Sequence, residues 1–298
     1  MRRSIGVLAV VVLAVSAGTA GAQQSRWFFG TNNLPQSGSG GDELIRFDFY
    51  NPAGWVAVGE ITDSATGSGL NGFAGLDWLG RPGQGPLIGS VGFGATLPAV
   101  YSIDPTTAVA TFIANPPTPM QDLAYRAADG KMYGTDAADQ LWVDNTADGV
   151  PETLVGAYGL NAVEVGLAFD GAGNLLVHDL ASDIIYKGTG AAPGTVAALV
   201  NLPFNSNFSQ GLYADGQTGY HAAFDGGLFT ADNYDFDTIA GTPTYTYQGS
   251  FPMAGALPAV EVGDLTPYAV AVIPEPSTFL VWSLLAALGI GTAWRRRK

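Results

Sequence analysis

The chain has 298 residues, a formal net charge of −14, 41 glycines, no cysteine and only 13% charged residues. Hydrophobic residues make up 47%, which excludes wholesale disorder. The missing cysteine excludes a disulfide scaffold, cysteine-ligated zinc, iron–sulfur centres and thiol catalysis, and the acidic balance excludes a nucleic-acid binder, whose phosphate contacts need Lys and Arg.

In chain order, residues 1–22 read as a secretory signal. Arg2 and Arg3 precede an apolar run from Gly6 to Val15, and Ala20-Gly21-Ala22 supplies the small-x-small cleavage pattern before Gln23. Residues 23–273 are then the exported working domain, and 274–298 form a separate tail.

The domain carries an internal repeat. Gly75-Leu76-Asp77-Trp78, Asp122-Leu123-Ala124-Tyr125, Gly166-Leu167-Ala168-Phe169 and Gly211-Leu212-Tyr213-Ala214 open alike, at spacings of 47, 44 and 45 residues. Turns follow at Asp129-Gly130, Asp170-Gly171 and Asp215-Gly216, because Asp-Gly favours tight hairpins. Second strands follow at Phe28–Thr31, Leu87–Ser90, Met132–Thr135, Leu175–His178 and Gly219–His221. Third strands follow at Leu44–Asp48, Val100–Asp104, Leu141–Asp144, Ile185–Lys187 and Leu228–Asp232. Fourth strands follow at Val56–Gly59, Val109–Phe112, Thr153–Gly156, Val196–Leu199 and Thr244–Tyr247. Four short strands in about 45 residues are the pattern of a propeller blade.

The first unit lacks an opening strand, and Asp264–Ala271 has the character of the missing one. The expectation is therefore an all-β, five-bladed β-propeller closed by the C-terminal strand, which removes the two open edges. Pro267 should lie at a strand start or a bulge. A β-sandwich, or a sixth blade within Gly249–Val262, stays open at this level.

The tail begins Pro274-Glu275-Pro276-Ser277-Thr278, continues as an apolar stretch over 279–294 and ends Arg295-Arg296-Arg297-Lys298. Prolines keep its entrance extended, and the apolar stretch would form a membrane helix with the basic cluster as a cytoplasmic stop. This grammar resembles the PEP-CTERM protein-sorting signal. The resemblance implies recognition by an exosortase, a precursor anchored in the inner membrane of a Gram-negative-type bacterium, and delivery to the cell surface or extracellular matrix. Val100-Tyr101-Ser102-Ile103-Asp104 also resembles segments of secreted bacterial propeller-like proteins of unknown function, which implies no activity.

Candidate chemistry is sparse. His178 and His221, at the ends of second strands, could ligate a metal near a central channel. Asp144, Thr146 and Asp148 followed by Gly149 match the opening half of a calcium loop, but Val155 stands where a bidentate Glu belongs, and Glu152 offers partial help. Asp136, Asp139, Asp179, Asp183 and Asp225 lie in turns between second and third strands and could form an acidic rim at the channel mouth. Trp27, Trp55, Trp78 and Trp142 could stack on sugars, although strand aromatics more often fill the space between blades. No nucleophile elbow, zinc-protease helix or phosphate loop is present.

With no catalytic set in view, the expectation is a non-enzymatic binding or structural protein of the envelope or matrix. No cofactor is expected, although Ca2+ could be held, and its partners would be an exosortase, the membrane and extracellular polysaccharide. The alternative is an extracellular propeller hydrolase or lyase with a channel-bound metal. Carboxylates or histidines converging on the channel from several blades would separate the two.

Overall fold

The computed structural model describes residues 26–268, except 34–39, 93–96, 161–163, 207–210, 227, 229, 240–243, 255, 256 and 259. The segment read as a secretory signal, with Ala20 and Ala22, and the tail with Pro274, Glu275, Pro276, Ser277, Thr278, Arg295, Arg296, Arg297 and Lys298, lie outside the described residues.

Five antiparallel four-stranded blades form a β-propeller. From the axis outward, blade 1 is Val262–Pro267, Trp27–Asn32, Glu43–Asp48 and Asn51–Glu60. Blade 2 is Phe73–Trp78, Leu87–Val91, Ala99–Ile103 and Val109–Ala114, with the short strand Thr62–Asp63 added in parallel at its outer edge. Blade 3 is Met120–Arg126, Lys131–Asp136, Gln140–Val143 and Thr153–Ala157. Blade 4 is Glu164–Phe169, Leu175–Asp179, Ile184–Thr189 and Ala192–Asn201. Blade 5 is Gly211–Asp215, Thr218–Asp225, Thr230–Asp237 and Thr246–Ser250.

Burial follows position in the blade. Second strands meet a neighbour on both faces, so Leu87–Val91 and Leu175–Asp179 are buried along their whole length. That accounts for their unbroken apolar character. Outer strands such as Thr153–Ala157 are largely exposed. The apolar core divides into five clusters, one at each seam between blades. Phe29 and Leu44 pack on Phe73 and Leu76 at the first seam. Ile88 and Val100 pack on Met120 and Leu123 at the next. The large aromatics fill these wedges, and Trp78 is one of them.

Closure is as the sequence suggests. Val262–Pro267 pairs antiparallel with Trp27–Asn32, with Phe28 opposite Pro267, Gly30 opposite Leu265 and a bulge between Gly30 and Asn32. Pro267 is the last residue of its strand rather than the first, and lies away from the bulge. Its carbonyl accepts a hydrogen bond from Trp78 Nε1 at 2.8 Å, which ties the closing strand to blade 2. On the other side Arg26 reaches blade 5. Its guanidinium bonds Tyr220 Oη at 2.8 Å and Asp215 at 2.5 Å, and stacks 4.5 Å from the Tyr220 ring centre.

Two details differ from expectation. Blade 5 runs later than read: its third strand is Thr230–Asp237 rather than Leu228–Asp232, and its fourth is Thr246–Ser250 rather than Thr244–Tyr247. Between Gly249 and Val262 the described residues hold only the two-residue pair Met253–Ala254 with Leu257–Pro258, not a sixth blade.

Candidate active site at the channel

The innermost strands are open sheet edges, and five of them face one narrow channel. Their inward N–H groups have no ladder partner and need acceptors. Three aspartates supply them by one repeated device. Asp264 of blade 1 accepts from the next residue, Leu265 N at 2.6 Å, and from Leu76 N of blade 2. Asp77 of blade 2 accepts from Trp78 N at 2.8 Å and from Tyr125 N of blade 3 at 2.6 Å. Asp122 of blade 3 accepts from Leu123 N at 2.6 Å and from Leu167 N of blade 4 at 2.5 Å. Each carboxylate thus bolts its own inner strand to the following one.

The glycines of the repeat make room for this. A side chain at Gly75 would stand 2.7 Å from Leu123 N, and one at Gly211 would stand 2.6 Å from Leu265 N. Inner strands therefore approach backbone to backbone at those points. Asp122 and Asp264, at the equivalent positions of their own strands, take up the remaining axial space.

Burial governs the electrostatics. It pushes the Asp77 carboxyl up to about 6, against the lowering effect of its bonds to Thr266 Oγ1, Tyr125 N and Trp78 N. It also drives Asp122 and Asp264 well above the ordinary carboxylate range. These two are hydrogen-bonded to each other, and like charges so close cannot both persist, so the pair holds a proton between its carboxyls.

Above the pair, toward the turns between first and second strands, the channel opens into a cavity of about 430 Å³. Asp77, Arg81, Tyr125, Asp170, Tyr213 and Asp215 contribute to its walls. That volume is in the range of small-molecule sites. Asp77 is the channel carboxylate that reaches this cavity.

The expected sites are placed differently. Asp136, Asp139, Asp179, Asp183 and Asp225 do not line this cavity. They sit in turns at the opposite ends of the second strands, where Asp136, Asp179 and Asp225 accept from residues close in sequence, while Asp139 accepts from Gly159 N and Leu160 N and Asp183 from Ser206 N. Asp136 accepts from Ala138 N and Gln140 N, and Asp179 from Ala181 N. These aspartates lie on the face opposite the cavity, in the turns between second and third strands, where their carboxylates hold backbone N–H groups.

In the Asp144 loop, Asp144, Asp148 and Glu152 bring ligand oxygens within 4.8 Å of one another and could hold a cation. Thr146 instead donates its hydroxyl to Asp144 at 3.1 Å. The Asp144 carboxylate also accepts from Thr146 N, Ala147 N and Gly149 N. His178 and His221 do meet, with ring centres 4.7 Å apart, but within the seam between blades 4 and 5 rather than in the channel. Trp142 donates its Nε1 to Asp136 at 2.8 Å and packs half-buried against the seam of blades 2 and 3, and Trp78 is buried. Among the described residues no helix is long and apolar enough to cross a membrane.

The residues missed by sequence reasoning are Asp77, Asp122 and Asp264. Two of them, Asp122 and Asp264, open copies of the repeat, and all three carry a Leu beside them. That recurring pairing was the available signal.

This fold defines the chain as a five-bladed β-propeller with an acidic channel. No protein-family model matches it, and no curated protein matches it. Solved structures that resemble it include the nidogen/laminin complex, with 10% identity, TM-score 0.47 and coverage of 82% of this chain and 98% of that one. A protein from Lactobacillus plantarum has 17% identity, TM-score 0.43 and coverage of 75% and 66%. The periplasmic gluconolactonase of Pseudomonas aeruginosa has 16% identity, TM-score 0.43 and coverage of 78% and 69%. The reading of the chain as a non-enzymatic binding or structural protein is corrected here: carboxylates from three blades converge on the channel, the feature that separates the two readings.

Proposed function

We propose that the chain is an exported hydrolase whose active site is the cavity at the channel mouth. The observation that carries this reading is Asp77: a carboxyl on the wall of a cavity of ligand size, with its titration moved to about 6. A general acid–base works best when its pKa lies near the operating pH. In its charged form Asp77 takes a proton from an attacking water, and in its neutral form it returns that proton to the leaving group. Arg81, on the same wall, offers a cation to the oxygen that gains negative charge. The substrate is a compact polar molecule, held by the Tyr125 and Tyr213 side of the cavity.

The test is a pH-stat and chromogenic screen of simple esters, lactones and glycosides with the intact chain. Turnover should show an acid limb near pH 6, and Asp77→Asn should lower kcat by about 100-fold or more. Arg81, at the surface, can be replaced with little risk to folding, and Arg81→Ala should lower kcat as well. No turnover in any class, or turnover indifferent to both substitutions and without the limb, would overturn the reading.

For the address, we propose that Pro274, Glu275, Pro276, Ser277 and Thr278 are read by an exosortase and that 279–294 anchors the precursor. Support comes from the order of the three parts in the sequence. Replacing Pro274 and Pro276 with Ala should leave an unprocessed chain in the membrane fraction, and normal release would refute the assignment.

A further inference from the structure

The seam between blades 4 and 5 carries a polar group that neither the fold nor the channel explains. His178 lies on the second strand of blade 4, Leu175–Asp179, and His221 on the second strand of blade 5, Thr218–Asp225. Both are fully buried at 0% exposure, and they lie edge to face across the seam. Among the described residues neither ring nitrogen of His178 has a hydrogen-bond partner, and neither does His221 Nε2. Burying such a group without a partner is unfavourable, because its hydration is lost with nothing in return. A seam otherwise built from Leu176, Ile185 and Leu212 could have used an apolar side chain there.

The one bond these rings do make is informative. His221 Nδ1 lies 2.5 Å from Tyr245 Oη. With the Nδ1 proton donated to that oxygen, the tautomer leaves the buried Nε2 lone pair free. This is how metal-ligating imidazoles are oriented by an oxygen behind them. Burial also keeps both imidazoles neutral, the form that binds metals. Two imidazoles on one tetrahedral ion, with metal–nitrogen bonds of about 2.0–2.1 Å, hold their ring centres on the order of 5 Å apart, close to the 4.7 Å found. Beside Tyr245, the buried Asp232 acts on it electrostatically, and its Oδ1 has no partner among the described residues.

We propose that His178 and His221 form a buried two-histidine site for a late first-row divalent cation, with Tyr245 orienting His221, so that the ion clamps blade 4 to blade 5. Imidazole ligands suit zinc, copper and nickel over calcium or magnesium. The site is separate from the channel cavity and from the Asp144 loop.

The experiment loads the intact chain with Zn2+ alone, removes free metal on a desalting column and measures zinc by mass spectrometry. The wild type should retain about one equivalent through the histidines and gain thermal stability that EDTA reverses. His178→Leu and His221→Leu, chosen because the seam is apolar, should each abolish that equivalent and the zinc-dependent rise in Tm, yet keep the fold without metal. Tyr245→Phe should weaken zinc binding by about 10- to 100-fold. Asp148→Asn, in the separate acidic loop, should leave the equivalent in place. Absence of retained zinc, or retention unchanged in the His178→Leu/His221→Leu double variant, would overturn the proposal. Should the leucine variants not fold, Co2+ spectra of the wild type decide: tetrahedral bands with nitrogen ligation support the site, and the spectrum of aqueous Co2+ removes it.

Discussion

Asp42 shows what one buried carboxyl does in this ring. It sits at the seam of blades 1 and 2, is 3% exposed, and accepts a hydrogen bond from Phe73 N at 2.8 Å. Burial outweighs that bond and pushes the carboxyl from 3.8 to about 6. The folded state therefore holds its proton more tightly than the unfolded chain does. Its contribution is fully present below about 3.8 and is lost as pH rises through about 6, by roughly 2 kcal/mol between pH 4 and pH 7.5. Asp77 has the same sign. His178 has the opposite one: burial lowers it from 6.5 to about 3, so its contribution is lost as pH falls below 6.5. The net curve of the wild type mixes the two, and a difference isolates one. In urea unfolding, the stability of the wild type relative to Asp42→Asn should fall by about 2 kcal/mol from pH 4 to pH 7.5. A gap constant with pH would contradict the assignment. None of these shifts was legible in the sequence, because each arises where strands about 30 or more residues apart close over the side chain.

At the scale of elements, the blades were legible because their punctuation is local. Asp-Gly turns, such as the one that brings Asp215 opposite Thr218, recur at nearly constant spacing. Blade 5 shows where that reading stops. Around Tyr234, Phe236, Tyr245 and Tyr247 apolar residues alternate over a long stretch with no turn pair between, and a shift of two residues keeps every side chain on its face. Strand limits there are set by pairing, with Asp232 opposite Ser250 and Asp235 opposite Thr246, which sequence alone does not fix. The closing strand was legible because blade 1 was visibly short of one. Its removal has a definite cost. Deleting 262–267 exposes the inner edge of Trp27–Asn32, uncovers Phe28 and Ile45, and removes Asp264 with its bonds to Leu76 N and Asp122. Heating should then show loss of the single cooperative transition or a Tm lower by at least about 10 °C, since roughly 1 kcal/mol corresponds to 2–4 °C in a domain of this size. A deletion that melts like the wild type would mean that the ring does not depend on closure.

For the whole molecule, charge and closure act against each other. Residues 23–274 hold six basic and 25 acidic side chains, a net charge of −19 when every carboxyl is ionised. Among the described residues only three ion pairs occur: Arg26–Asp215, Arg126–Asp129 and Lys187–Asp170. All three link exposed or half-exposed groups apart from Asp170, so each contributes modestly. The remaining acidic groups repel one another across a ring about its own axis, and no disulfide counters this. Buried aspartates relieve part of the load, since the Asp122–Asp264 pair holds a proton and Asp42 and Asp77 titrate near 6. The sequence showed the charge imbalance, and the structure adds where the charge is neutralised: at the axis and the seams, where blades must touch. Screening should therefore stabilise the fold. Between 0.01 M and 0.5 M NaCl the screening length falls from about 30 Å, comparable with the propeller, to below about 8 Å. With few attractive pairs to weaken and many repulsive ones to screen, Tm at pH 8 should rise with NaCl, and rise less at pH 5, where more carboxyls are protonated. A Tm that falls with salt at pH 8 would show that the three ion pairs, and not the repulsion, dominate the balance.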